Sequence, residues 1–526
     1  MQTLAPDVPA DLHLLDAHAA VELLRNGLVS PVQLLDVVEK RLASVEHLVH
    51  AVPTTCLERA RAAAKKLKHP VEPPRGYLYG LPVLIKDTEA VSGVRFTEGY
   101  GPFGDRIAPS SGPVARQLEA RGAIIVGKTN VPEFAAGSQC FNSLFPTTVS
   151  PWDTRTTAGG SSGGSAAALA SCECWLASGS DLGGSLRTPA AFCGVVGFRV
   201  SPGVVPRDGA TPSGPLLGLH GVSGPMGRCV RDVGLFLDAM SGSAGWDFAP
   251  CAQEEAWEVV AIRGAQTRGT SRRVAFSDFG VHVNPEVAAL CRRSAELLAG
   301  EGPGNGTVRD LCAADLDVPL AERLFMVLRA ERFANNFGPL LEFDDLAGAL
   351  KPEIHWNINV GRVPEAHAMA ASAREHMSTL AEQVELLFQD VDVLVTPATL
   401  DGAFDAEVRY PTEQESFTNY LSWMVPAYVV TMMNCPAMVL PCGFLADGRP
   451  VGVQLVGPPG GDAAVLEAAA ALEASLELPR ACPVPRSGSV SLGTVGPRTA
   501  VDAAKHHDGE VLRFAERYAP TTPSVD

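Results

Sequence analysis

The stretch GGSSGGSAAALASCECWLASGSDLGGSLR, residues 159–187, contains two serines that each follow a pair of glycines. These serines are Ser161 and Ser185, and the apolar run 81–85 ends in Lys86, 75 positions before Ser161. A serine becomes a nucleophile when a base accepts its proton, and a lysine made neutral by burial can serve as that base. Glycines also allow backbone N–H groups to converge on one point, where an oxyanion could form. The stretch is therefore a candidate site for nucleophilic catalysis.

Composition narrows the class of protein. The chain has 526 residues, 46% of them hydrophobic, and 42 basic against 59 acidic residues give a net charge of −17. The absence of a basic cluster beyond 65–68 argues against direct binding to nucleic acid or anionic membranes. The 12 cysteines include no C-x-x-C motif, which predicts buried reduced thiols in a cytoplasmic protein. No secretory signal is evident at the N-terminus.

The segment 416–446 carries no charge and is long enough to span a bilayer. Pro426, Pro436 and Pro441 interrupt it, and proline disrupts the interior of a helix. We therefore expect buried strands and a pocket wall here, and no membrane span.

Periodicity along the chain predicts an α/β fold. Apolar spacing and capping signals predict helices over 16–26, 30–45, 57–67, 114–121, 162–172, 225–240, 285–298, 364–388 and 463–476. Short apolar runs predict strands over 81–85, 123–126, 393–397 and 451–457. The small residues of the 162–172 helix should allow close packing. Residues 479–526, which include a modest helical pattern near 511–518, are expected to form a peripheral tail.

Two familiar motifs are present but are disfavoured by their context. Residues 122–129 match the P-loop expression, yet the four residues between its glycines are themselves the predicted strand and cannot also cradle phosphates. Residues 159–163 match the nucleophile elbow G-x-S-x-G, which requires a strand immediately upstream and a downstream histidine. The upstream residues 153–157 are loop-like, and no late histidine follows an evident strand.

The 159–187 stretch, the lysine after an apolar strand, and the segments 434–437 and 450–458 together resemble the amidase signature family. The resemblance extends from about residue 14 to residue 476. It implies a large mixed β-sheet flanked by α-helices in a single large domain over 1–478, with a signature core at about 80–210.

The resemblance also implies the roles of the catalytic residues. Ser185 would be the nucleophile that forms an acyl-enzyme, Ser161 would relay its proton from a cis peptide geometry, and Lys86 would be the base. To accept a proton near neutral pH, Lys86 needs a pKa lowered from about 10.4 to about 7–8. The adjacent Asp87 should not hold the lysine in its charged form, because neighbouring side chains on a strand point in opposite directions.

The remaining expected site residues surround this triad. Backbone N–H groups of Leu182, Gly183, Gly184 and Ser185 would form the oxyanion hole, and Ala135 would leave space in the substrate pocket. Ser162, Asp181 and Arg187 would support the shape of the site.

The expected function is an amidase that cleaves a carboxylic amide to an acid plus ammonia or an amine. Aromatic residues in 410–428 favour an apolar acyl or aryl amide and a stand-alone enzyme: Tyr410, Phe417, Tyr420, Trp423 and Tyr428. Such an enzyme would need no cofactor and no metal, would have a small-molecule substrate and no nucleic-acid partner, and could be a homodimer. The alternative is the amidase subunit of a glutamyl-tRNA amidotransferase, which acts on glutamine with partner subunits. A catalytically inactive scaffold is disfavoured by the intact Lys86, Ser161 and Ser185.

Overall fold

The computed structural model describes residues 9, 11–207, 221–242, 254–300, 306–411, 417–478, 514, 517 and 518. Within these ranges, eleven strands form one mixed sheet. The strands are β1 (Thr54–Thr55), β2 (Pro82–Lys86), β3 (Ile124–Thr129), β4 (Leu176–Asp181), β5 (Val196–Arg199), β6 (Val222–Gly227), β7 (Val274–Phe276), β8 (Arg309–Asp310), β9 (Val393–Pro397), β10 (Ala437–Phe444) and β11 (Pro450–Val456).

Fifteen α-helices accompany the sheet in the same described ranges. They are α1 (Ala17–Arg25), α2 (Pro31–Val49), α3 (Leu57–Lys66), α4 (Pro113–Ala120), α5 (Gly163–Ala170), α6 (Arg187–Cys193), α7 (Val230–Met240), α8 (Trp257–Gln266), α9 (Pro285–Ala299), α10 (Val318–Phe337), α11 (Asp344–Ala349), α12 (Pro352–Val360), α13 (Ala366–Asp390), α14 (Val425–Met432) and α15 (Asp462–Leu476).

The order of the sheet is β1-β3-β2-β4-β6-β5-β10-β11-β9-β7-β8. Strand β2 is parallel to its neighbours β3 and β4, and β7 is parallel to β8 and β9. The other neighbouring strands are antiparallel. Because parallel strands end at the same edge of a sheet, Lys86 at the end of β2 and Asp181 at the end of β4 lie at one edge. This edge holds the candidate site.

The hydrophobic core lies on both faces of the sheet. In β9, Val393 and Val395 pack into one cluster of buried side chains and Leu394 packs into the other, as alternation along a strand requires. Helices α1, α2, α7 and α15 supply the first cluster, and α10, α13 and α14 supply the second. At β9 the two clusters therefore lie on opposite faces of the sheet. The predicted single large α/β domain with a mixed sheet is confirmed.

The predicted helices and strands lie where the periodicity placed them, with one clear error. The helix predicted over 225–240 begins only at Val230, and Pro225 lies in β6. Strand β6 pairs with both β4 and β5, so pairing within the sheet determines its conformation. The uncharged segment 416–446 was expected to form buried strands; its described residues contain one buried strand, β10, and also the buried helix α14. Among the described residues, no helix is both long enough and apolar enough to cross a bilayer.

Most of residues 479–526, including part of the predicted helical segment 511–518, lies outside the described residues. Two aromatic residues of this tail are described, and both are buried. The Phe514 ring centroid lies 6.0 Å from that of Trp356, and the Tyr518 hydroxyl donates a hydrogen bond of 2.8 Å to Glu322. At these positions the tail contacts the helical layer; the domain boundary at 478 stays a prediction.

Candidate active site

Lys86 is held by neutral hydroxyl groups in the interior of the protein. Residues Val83 and Leu84 of β2 pair with Leu176 and Ala177 of β4, and continuing this register brings Lys86 towards the end of β4, where Ser180 lies. Only 1% of Lys86 is exposed. Its Nζ lies 2.7 Å from Ser161 Oγ, 2.9 Å from Ser162 Oγ and 2.9 Å from Ser180 Oγ.

Burial lowers the pKa of Lys86 to about 7. Desolvation disfavours the charged amine, and hydroxyl groups compensate only partly because they carry no opposite charge. The adjacent carboxylate does not reverse this effect, since Asp87 accepts hydrogen bonds from Lys128 Nζ at 2.6 Å and from the Thr97 hydroxyl at 2.5 Å. Lys86 can therefore exist as a neutral amine near neutral pH.

Ser161 and Ser162 precede α5 directly, and the Gly160–Ser161 peptide bond is cis, as the resemblance implied. Glycine is required next to them because other backbone segments approach closely. A Cβ on Gly160 would lie 2.9 Å from Gln139 N, and one on Gly164 would lie 2.3 Å from Asn130 N. The predicted close packing of this small-residue helix is confirmed.

Ser185 lies in the turn between β4 and α6. Gly184 before it has φ +97°, and a Cβ at this position would lie 2.5 Å from Ala427 Cβ, so only glycine fits. Ser185 and Ser161 line the same cavity of about 210 Å³. The Ser185 Oγ makes no hydrogen bond to any described residue, so it is available to a ligand in the cavity.

The backbone N–H groups of this turn have two kinds of environment. The N–H of Gly184 donates to Asp181 Oδ1 at 3.0 Å. The N–H groups of Leu182, Gly183 and Ser185 have no acceptor among the described residues, and all three residues line the cavity. Such unpaired donors beside a nucleophile can bind an oxyanion.

A buried ion-pair network holds the turn in shape. Asp181 also accepts from the N–H of Leu186 at 3.1 Å and from two nitrogens of Arg187 at 3.0 and 2.9 Å. The Arg199 guanidinium lies 3.5 Å from the same carboxylate. Burial alone would raise the pKa of the Asp181 carboxyl, but Arg187 and Arg199 outweigh it and keep the pKa well below its usual range.

The structure thus brings together all three expected triad residues, and Ala135 lines the same cavity. Gly184 supports the turn without lining the cavity. The P-loop interpretation fails because Lys128 is buried in β3 against Asp87. The elbow interpretation lacks its base, because no described histidine lines the cavity.

Several polar residues of this cavity were not among the expected site residues. Ser180 lines the cavity, and its Oγ lies 2.9 Å from Lys86 Nζ. Arg207, Arg329 and Arg332 line the cavity and were not singled out. Arg329 and Arg332 lie three residues apart on α10, in helical register with Phe325 and Asn336, so they share one face of the helix.

The aromatic residues that suggested an apolar substrate do not line the cavity with the nucleophile. Tyr428 stacks on Phe325 in the core, and the Tyr420 hydroxyl accepts a hydrogen bond from Arg329 Nη2 at 2.9 Å. Phe417 and Trp423 line a different cavity. From this segment, the described residues in the lining are Leu421 and Met424. The aromatic cluster is therefore core packing and gives no support to an aryl substrate.

Comparison with known proteins agrees with this geometry. The sequence matches the Amidase family over residues 33–466. It is 31% identical over 506 residues to a glutamyl-tRNA(Gln) amidotransferase subunit from Moorella thermoacetica, covering 90% of this chain and 99% of that protein. The same-named protein of a Roseiflexus species is 33% identical, with 85% and 93% covered.

Solved structures show the same fold at lower identity. A bacterial aryl acylamidase of the amidase signature family is 22% identical with a TM-score of 0.79, covering 91% of this chain and all of that one. The corresponding glutamyl-tRNA(Gln) amidotransferase subunit from Thermotoga maritima is 23% identical with a TM-score of 0.69, covering 92% and 100%. The fold and the match together define an amide-hydrolysing enzyme. The chain belongs to the amidase signature family.

These relatives correct the expectation about partners. The expectation that the partners are only a small-molecule substrate and a possible second copy of the chain, with no nucleic acid, is wrong, because the relatives are subunits named for a tRNA-linked reaction. The net charge did not predict such partners, because it sums over the whole chain. One subunit of an assembly can also take part in a tRNA reaction without a basic surface of its own. The relatives also favour the alternative function over the stand-alone amidase.

Replacing Asp181 with asparagine should destabilise the protein. Asp181→Asn removes the carboxylate that pairs with the buried guanidinium of Arg187 at 2.9 Å, and breaking a buried ion pair costs about 3–5 kcal/mol. We expect a lower melting temperature in a thermal unfolding measurement. The matched control is Asp153→Asn, which removes a carboxylate from the exposed pair with Arg155 and should change stability by less than about 1 kcal/mol. Equal melting temperatures for the two variants would contradict the role of the buried network.

Proposed function

We propose that this enzyme cleaves a carboxamide through a Ser185 acyl-enzyme, with Lys86 as base and Ser161 as proton relay. The observation that carries the proposal is the contact of 2.7 Å between Lys86 Nζ and Ser161 Oγ inside the protein, at an amine whose pKa burial lowers to about 7. A neutral amine can accept the proton of Ser161, which in turn accepts the proton of Ser185. The family membership supports the same roles.

The reaction then proceeds in two balanced steps. Ser185 Oγ bonds to the amide carbon, the C–N bond breaks, and the proton held on Lys86 passes through Ser161 to the leaving nitrogen, which departs as ammonia or an amine. A water molecule then attacks the ester and gives its proton to the same relay. The carboxylic acid leaves, and Ser185 regains its proton.

The oxyanion of each tetrahedral intermediate is assigned to the N–H groups of Leu182, Gly183 and Ser185. All three are without an acceptor among the described residues and line the cavity, which supports this assignment. Gly184 has its N–H on Asp181 and fixes the turn instead. Removing one such donor in serine hydrolases costs about 3 kcal/mol of transition-state stabilisation.

We further propose glutamine as the amide, with the chain as the amidase subunit of a tRNA-dependent amidotransferase. Relatives of this name match 79–90% of the chain, which supports the assignment. In that setting, partner subunits would hold the tRNA and receive the ammonia. The proposed catalytic domain is 1–478 with a peripheral 479–526 tail, and the ten described cysteines, all free thiols, support a cytoplasmic location.

The triad assignment predicts how serine labelling responds to mutation. Ser185→Ala should abolish covalent labelling by a fluorophosphonate probe, since it removes the nucleophile. Ser161→Ala and Lys86→Ala should each slow labelling by at least about a hundredfold, because general-base assistance contributes about 10²–10⁴. The exposed Ser44→Ala is the control and should label at the wild-type rate. Normal labelling of Ser185→Ala with none of Ser161→Ala would identify Ser161 as the nucleophile instead.

The substrate assignment predicts a dependence on partners. Ammonia release from glutamine should be slow for the chain alone and should rise when the partner subunits of the same organism's amidotransferase and glutamyl-tRNA are added. Ser185→Ala in the same mixture is the control. Rapid unaided hydrolysis of simple aliphatic or aryl amides, with glutamine untouched even in the complete mixture, would refute the assignment.

A further inference from the structure

We propose that Lys351 is a positioning residue for the reaction at Ser185, and that its ammonium group holds one wall of the cavity in place. The inference deepens the proposed function and rests on it, because the wall acts on whatever binds beside Ser185. Lys351 itself does not line the cavity, so it acts through the wall. Four residues of the segment 134–138, which we call the cavity wall, line the cavity: Phe134, Ala135, Gly137 and Ser138.

The backbone of the cavity wall adopts a conformation that its surroundings must hold. Phe134 has φ +49° and Ala135 has φ +54°, which places two consecutive non-glycine residues in the left-handed region. Such residues are strained and persist only where neighbouring groups fix them. The position of the wall therefore depends on contacts made from outside it.

Lys351 supplies two of these contacts, one on each side of the left-handed pair. Its backbone N–H donates to Glu133 Oε1 at 3.0 Å, and its Nζ donates to the carbonyl oxygen of Ala136. Lys351 immediately precedes α12, so the helix fixes its backbone. A Cβ on Gly137 would lie 3.8 Å from Nζ, which places the ammonium group directly behind the wall.

The far end of the cavity wall is fixed against the peptide that precedes Ser161. A Cβ on Gly160 would lie 2.9 Å from backbone atoms of both Ser138 and Gln139, so the two chain segments are in close contact. The Gln139 side-chain amide also donates to the Ala406 carbonyl oxygen at 2.7 Å. With this end held, loss of the ammonium contact should shift the middle of the wall and leave Ser161 in place.

Ion pairing does not account for the ammonium group of Lys351. Among the described residues, no carboxylate lies within salt-bridge distance of its Nζ, and Glu353 pairs instead with Arg409. The Phe141 ring centroid lies 5.1 Å from Nζ. Burial outweighs the nearby carboxylates of Glu133 and Glu353 and lowers the pKa of Lys351, so the charged form is kept here at a cost. A lysine that is retained despite this cost is better explained by the position of the wall than by stability.

Inactivation kinetics with a neutral alkyl fluorophosphonate test the proposal on the full chain. The concentration dependence separates KI, which reports binding in the cavity, from the maximal rate kinact, which reports the nucleophile and its base. Lys351→Met keeps the length of the side chain and removes the donor. We expect it to raise KI about tenfold, because losing a hydrogen bond from a charged donor costs about that factor. The value of kinact, its pH midpoint and the melting temperature should stay close to wild type, and Lys351→Arg should recover part of the affinity because it can still donate to Ala136.

Two further variants keep the test decisive should Lys351→Met fail to fold. Glu133→Ala removes the acceptor on the other side of the left-handed pair and should also raise KI, whereas the matched control Lys65→Met removes an exposed lysine of α3 and should change neither constant. A loss confined to kinact, or a lower melting temperature with KI unchanged, would overturn the positioning role. The labelled residue of the wild-type chain reports separately on the proposed function. Labelling at Ser161 would refute the nucleophile alone, and normal labelling at Ser185 with KI unchanged in Lys351→Met and Glu133→Ala would refute the positioning role alone.

Discussion

The site depends on one constraint: Lys86 is buried among groups that bind its amine without neutralising a positive charge. Three serine hydroxyls surround Nζ, and the adjacent Asp87 is occupied by Lys128 and Thr97. A carboxylate in place of any of these hydroxyls would stabilise the ammonium form and remove the base. The ion pairs that hold the turn between β4 and α6 are made by Asp181 with Arg187 and Arg199. Hydroxyl groups thus surround the proposed base, and ion pairs maintain the geometry of the turn.

The sequence predicted the elements that local patterns determine. The strand ending in Lys86 follows from an apolar run, and the proposed triad residues follow from the resemblance of short glycine–serine stretches to the amidase signature family. The error at Pro225 arose because β6 is a strand through its pairing with β4 and β5, and such pairing has no local signal. The sequence also could not show that the Gly184 N–H donates to Asp181 instead of facing the cavity, because that depends on where the Asp181 carboxylate lies in the folded protein.

The substrate pocket was the least predictable part for a related reason. The aromatic residues of 410–428 suggested an apolar pocket. In the structure Tyr428 stacks on Phe325, and Tyr420 accepts a hydrogen bond from Arg329, so both side chains belong to the core. Arg207 and Arg332 are far apart in sequence, and they line the same cavity only in the folded protein. The charge of a site depends on the few residues that converge there. A cavity can therefore be lined by arginines in a chain whose net charge is −17.

The most direct test of the central claim is the pH dependence of Ser185 inactivation by a neutral fluorophosphonate. This rate follows the fraction of Lys86 that is unprotonated, because only the neutral amine can accept the proton that Ser161 relays. Since burial lowers the pKa of Lys86 to about 7, the rate should rise about tenfold per pH unit below that value and level off above it. Lys86→Ala should lose this dependence. A midpoint near pH 10, or the same profile in Lys86→Ala, would contradict the account.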